Sequence, residues 1–243
     1  MVFVMRLSQP SAAVVAWGNA WLTGNVGLDE AVDAVTGPQV ISPTDQPLRV
    51  FLAELRSQGL TELRLALPVP GDPLGLTGPA DLNAAALETG EAVITDVGLG
   101  LVPEPDLRGS SYQGIRWTIF PAGTARPDVP SLPEADQQLT LAMREVTEVM
   151  SRLDDVNGER SQVLKALRDD ADSTLAPGYP ARAHRVAALA VRLSLVVELA
   201  ESTAGHNLTA AQMRQRSDAL RSLDRAVRRA RVAAHSAVFE PAR

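Results

Sequence analysis

From residue 134 to residue 173, apolar side chains return every three or four positions: Leu139, Ala142, Val146, Val149, Leu153, Val156, Val163 and Leu167. That spacing is one face of an α-helix. Met143 and Met150 widen the stripe, so it predicts a helix facing a core rather than a narrow two-helix seam. The register survives Asn157-Gly158, because Leu139, Val146, Leu153, Arg160 and Leu167 keep a seven-residue step. A mid-helix glycine costs only about 1 kcal/mol. One long helix from Glu134 to Ser173 is therefore expected, stopped by Ala176-Pro177-Gly178-Tyr179-Pro180.

Two more helices follow in the pattern. Ala181 to Thr203 carries Val186, Leu189, Leu193, Val196 and Ala200, with Leu195, Val197 and Leu199 on a second side, which predicts the most buried helix of the group. Thr209 to Val238 repeats Met213, Leu220, Val227 and Ala234 every seven residues, beside Leu223, Ala230 and Ala237. Short connections between three such helices predict an antiparallel three-helix bundle over residues 134–243.

The first half reads differently. Helices are expected from Ser11, as N-cap, to Leu22, from Leu28 to Val35, from about Pro47 to Gln58, and from Ala80 to Glu88. Trp17 and Trp21 share a face of the first and are read as core. Between these helices the period changes to two. Leu63, Leu65, Leu67 and Val69 alternate with Glu62, Arg64, Ala66 and Pro68. Further strands are predicted at Glu91–Thr95, Leu99–Val102 and Ile115–Phe120, with Glu104–Gly114 as an exposed loop. The expectation is α+β: a small domain over residues 1–124 with a four-stranded sheet, a Pro-rich linker at 125–133, then the bundle.

Composition narrows the chemistry. Cysteine is absent from the 243 residues, so no disulfide, thiolate nucleophile or cysteine metal site exists, and a cytoplasmic setting is expected. Lys165 is the sole lysine. The net charge is −6, yet the chain from residue 207 onward holds eight arginines against three acids. The acidic whole disfavours general nucleic-acid binding. The longest apolar run, Val186 to Ala200, is interrupted by Arg192 and Glu198 and is too short for a membrane span.

No catalytic constellation, cofactor or metal is expected. Gly109-Ser110-Ser111-Tyr112-Gln113-Gly114 lacks the spacing of a nucleophile elbow, and Gly98-Leu99-Gly100 opens no helix. His184, His206 and His235 stand apart, and Asp154-Asp155 and Asp169-Asp170 read as solvated helix faces. Two stretches remain as binding candidates. In the loop Gly71–Pro79, residues Gly71, Asp72, Gly75, Thr77 and Gly78 could bring backbone N–H groups to a small anion at a helix N-terminus, although a simple turn is the favoured reading. On the last helix, Arg214, Arg221 and Arg228 fall on one line with Arg225 and Arg229 beside it. The line could hold phosphates or an acidic partner, but pairing with Glu145, Glu148 and Asp155 is favoured. No aromatic side chain interleaves with these arginines, as single-strand nucleic-acid binding would need.

Trp17-Gly18-Asn19-Ala20-Trp21-Leu22-Thr23-Gly24 and Gly71–Pro79 resemble segments of conserved bacterial proteins of unassigned role from high-GC actinobacteria. The resemblance covers under a tenth of the chain and implies no activity or site. The expected function is a non-enzymatic interaction protein that assembles through its bundle, as a homo-oligomer or with another protein. Metabolite binding by the first domain and nucleic-acid binding by the basic helix are the alternatives.

Overall fold

A computed structural model describes residues 9–35, 38–42, 44–107, 114–153, 175–202 and 209–239. In chain order the elements are α1 (Pro10–Leu22), α2 (Leu28–Asp33), β1 (Gln39–Ile41), β2 (Gln46–Pro47), α3 (Leu48–Ser57), β3 (Leu63–Ala66) and α4 (Ala80–Thr89). Then come β4 (Ala92–Thr95), β5 (Leu99–Asp106), β6 (Gly114–Pro121), α5 (Leu132–Leu153), α6 (Ala181–Ser202) and α7 (Ala210–Ser236). The fold is α+β.

The sheet has six strands rather than the expected four, in the order β2-β1-β6-β5-β4-β3. It is mixed: β1 runs parallel to β6 and every other pairing is antiparallel. The two added strands are three and two residues long. They flank the turn at residues 42–45, and strands that short show no alternation to read. β5 also outruns its predicted end, reaching Asp106 through Pro103 and Pro105. Those prolines are tolerated because β4 pairs only with Gly100 and Leu101, so the rest of that side of β5 is an edge.

All residues of β3 and β4 are buried, as in a sheet covered on both faces. Ala66, Ala92, Ile94 and Val102 form one cluster with Leu76 and with Leu82 and Ala86 of α4. Leu63 and Leu65 alternate to the opposite face, where α1 packs. The first helix starts one residue before the expected Ser11 cap. Gln9 is the N-cap, and the Ser11 N–H donates to the Glu91 carboxylate at 2.9 Å, which places a negative charge at the helix N-terminus.

In the second half, α7 packs against both α5 and α6, which touch each other little. Arg182 pairs with Asp136 at 2.8 Å, so α5 and α6 begin at the same end. Arg216 donates to the Ala200 carbonyl at 2.6 Å, which makes α6 and α7 antiparallel. The most buried helix is the C-terminal part of α7 rather than α6. Ala219, Leu220, Leu223, Ala226, Val227, Ala230 and Val232–His235 are buried there, while Leu189, Val191 and Leu195 of α6 stay half-buried. Small alanines let neighbouring helices approach α7 closely. α5 starts two residues early, with the Ser131 N–H and Oγ both donating to Glu134 as in a capping box. That N–H, helped by the hydroxyl, lowers the Glu134 pKa. The expected continuation of α5 through Asn157-Gly158 to Ser173 lies outside the described residues, as do Asp154-Asp155, Asp169-Asp170 and His206.

The chain forms two compact units. One comprises Met1–Val129, Thr174–Pro180 and Val238–Arg243; the other comprises Pro130–Ser173 and Ala181–Ala237. Leu82 is fully buried where α4 meets the sheet, and its methyl groups sit against Gly100. Leu82→Ala should destabilise the protein by about 2–5 kcal/mol, read from urea unfolding.

Candidate functional sites

Among the buried polar groups of the first unit, Asn19 bonds with both halves of its side-chain amide. It is fully buried on α1, and its amide pairs both ways with Leu63 at the sheet edge. Nδ2 donates to the Leu63 carbonyl and Oδ1 accepts from the Leu63 N–H, each at 2.8 Å. Gly18 makes the approach possible, since a side chain there would collide with Leu63. The Tyr179 hydroxyl is hydrogen-bonded to the same Asn19 side chain, and burial raises its pKa far above the usual phenol value. The sequence displayed Gly18-Asn19 plainly. What it could not display was that a side-chain amide takes the place of a neighbouring strand.

Of the tryptophan pair, Trp21 is buried and Trp17 half-buried. The Arg56 guanidinium lies 4.7 Å from the Trp21 ring centroid, a cation–π contact.

The Gly71–Pro79 loop folds tightly on itself. Val69 and Asp72 exchange backbone hydrogen bonds at 3.0 and 2.9 Å, and Leu76 N–H donates to the Pro73 carbonyl at 2.9 Å. Gly71, Gly75 and Gly78 all have positive φ. Gly75 is pressed on β3, where a Cβ would come within 2.8 Å of the Ala66 Cα. Thr77 Oγ1 donates to the Gly123 carbonyl at 2.9 Å. So the N–H groups of Asp72 and Leu76 and the hydroxyl of Thr77 are engaged within the protein. The α4 N-terminus beside the loop carries Asp81 in its first turn, which disfavours a second negative charge.

The arginine line is divided. Arg214, Arg221 and Arg225 are exposed, whereas Arg228 and Arg229 are half-buried. Arg221 pairs with Asp218, and Arg228 with Asp224 at 2.9 Å. These partners sit three and four residues away on α7 itself, which is the ordinary geometry of helix-surface pairs. Glu145 of α5 instead accepts a hydrogen bond from Ser222 at 3.3 Å.

His184 is half-buried, and His235 is buried with Nδ1 2.7 Å from the Arg231 carbonyl oxygen. Desolvation, followed by the Arg231 charge, lowers its pKa to about 4. Among the described residues no group of three or more His, Asp or Glu side chains could hold a metal ion. Among them, too, no helix is long and apolar enough to cross a membrane.

A six-stranded mixed sheet with helices on both faces, followed by helices packed around α7, defines a two-part α+β protein. The chain belongs to the family of Rv1486c-like proteins: residues 11–133 match the model of its N-terminal domain, and residues 133–232 that of its C-terminal domain. Similar proteins include uncharacterized protein MT1533 of Mycobacterium tuberculosis strain CDC 1551 / Oshkosh and uncharacterized protein Rv1486c of strain H37Rv. Each is 27% identical over 96% of this chain and 98% of its own. Uncharacterized protein ML1804 of Mycobacterium leprae is 24% identical with the same coverage. The expected resemblance to actinobacterial proteins thus holds along the chain. No solved structure matches it.

Replacing Asn19 by Ala strips both partners from the buried edge of β3, so Asn19→Ala should cost about 2–4 kcal/mol in chemical denaturation. His235 predicts a pH effect. Its folded pKa of about 4 lies below the unfolded value of 6.5, so the folded state resists protonation. Stability is retained above pH 6.5 and lost as the pH falls toward 4. Urea midpoints measured at pH 7 and pH 5 should show that loss, and His235→Gln should reduce the difference.

Proposed function

We propose that this is a non-enzymatic cytoplasmic protein that acts by association, through the helical bundle formed by its second half, in which α7 runs antiparallel to α6. The observation that carries the reading is the start of α7. From Thr209 to Asp218 only Gln212 and Arg216 are even half-buried, and Met213 is 49% exposed. The segment has its own reciprocal cap between Thr209 and Gln212. It is therefore a formed helix end whose apolar side chain has no described neighbour to cover it. Leu141, 55% exposed, gives α5 a second uncovered apolar residue. Exposed Arg214, Arg221 and Arg225 share α7 with Met213, and the chain as a whole is acidic. A second copy of the chain thus offers complementary charge.

The other two readings rank below it. An anionic metabolite at Gly71, Asp72, Gly75, Thr77 and Gly78 would need donors that the loop largely spends on itself. Nucleic acid along Arg214, Arg221, Arg225, Arg228 and Arg229 would compete with Asp218 and Asp224.

Light scattering at tens of micromolar should give a mass above that of one chain. Met213→Glu should weaken the association at least tenfold without lowering the unfolding midpoint. A wild-type monomer at that concentration would count against self-association.

A further inference from the structure

The segment Leu175–Pro180 belongs by sequence to the second half, and the family boundary at residue 133 puts it there. By packing it belongs to the first unit. Leu175, Ala176 and Tyr179 are 5%, 0% and 6% exposed, which is core burial. Gly178 lies against Asn25, just after α1. Two prolines, Pro177 and Pro180, stiffen the segment. A buried phenol must find a hydrogen-bond partner, and Tyr179 finds it in Asn19, the residue that closes the edge of β3.

We infer that Leu175–Pro180 is a strap that completes the N-terminal unit and holds Asn19 in its clamp on Leu63. Seating the strap gives the Asn19 amide a second holder besides Leu63. Displacing it frees that amide to rotate and bares the N–H and C=O of an edge strand, which are groups able to template pairing with another chain. The N-terminal unit therefore takes part of its core from Leu175, Ala176 and Tyr179.

The test is hydrogen exchange by mass spectrometry on the full chain, comparing wild type with Tyr179→Phe and Tyr179→Ala. Tyr179→Phe keeps the ring and removes only the hydroxyl, so it preserves the packing even where Tyr179→Ala fails to fold. Peptides covering Leu63–Leu67 should exchange at least threefold faster in Tyr179→Phe, and at least tenfold faster in a folded Tyr179→Ala. Peptides covering Leu223–His235 of α7 should change less than twofold. Unchanged exchange at Leu63–Leu67 in Tyr179→Phe would overturn the inference. Equal acceleration of both regions would overturn it as well, because it would report general destabilisation rather than release of an edge.

Discussion

One side-chain amide closes the first unit. A sheet must end somewhere, and an end strand in the interior leaves backbone donors and acceptors that cost free energy unless paired. β3 ends this sheet and all four of its residues are buried. Water therefore cannot serve Leu63, and Asn19 does so with both halves of its amide. The constraint propagates outward. α1 must lie close enough for a short side chain to reach the strand, and Gly18 leaves room for the Leu63 side chain at the contact. The helix must also be held in register, and the Glu91 carboxylate, just before β4, accepts from its N-terminal Ser11 N–H.

Much of the framework was legible because it rests on periodicity. α3, α4, β3, β4 and β6 begin and end within a few residues of their expected bounds, and α3 and β6 each show a repeating apolar face. What escaped the sequence is what does not repeat. β1 and β2 are recognisable only once β6 supplies a partner, because Gln39–Ile41 joins the sheet through parallel pairing to residues 115–117. The proline-bearing end of β5 read as loop, since nothing local reveals that its proline side faces no strand. The binding candidates fared similarly. A glycine-rich loop has a clear signature, but whether its donors are spent depends on Gly123, which only the fold brings into place; the partners of the basic line, Asp218 and Asp224, are instead helix neighbours three and four residues away.

The relative burial of the helices shows the same limit in another form. α6 is apolar on two sides and looked like the centre of its group. α7 holds the centre instead because its buried stretch is rich in alanine. Hydrophobicity counts methyl groups, whereas closeness of approach depends on how few of them stand in the way. A helix faced with Ala226, Ala230, Ala233 and Ala234 admits neighbours on two sides, and the leucines and valines of α5 and α6 fill the space around it.

That arrangement also explains why α7 changes character along its length. Its final four turns have two neighbouring helices and bury nearly every apolar residue. Its first three turns carry arginine, glutamine and serine, with Met213 left in solvent. Stability of the packed part carries the exposed part with it, because extending a helix from an existing end needs no new nucleus. An exposed, well-capped helix end is then available at little conformational cost to whatever covers Met213. Its arginines are partly neutralised by Asp218 and Asp224, which tempers the attraction to polyanions and leaves apolar contact as the larger source of affinity. On the proposed reading the same α7 would serve two ends: alanines at one end build the unit, and the exposed segment at the other is what it offers for association.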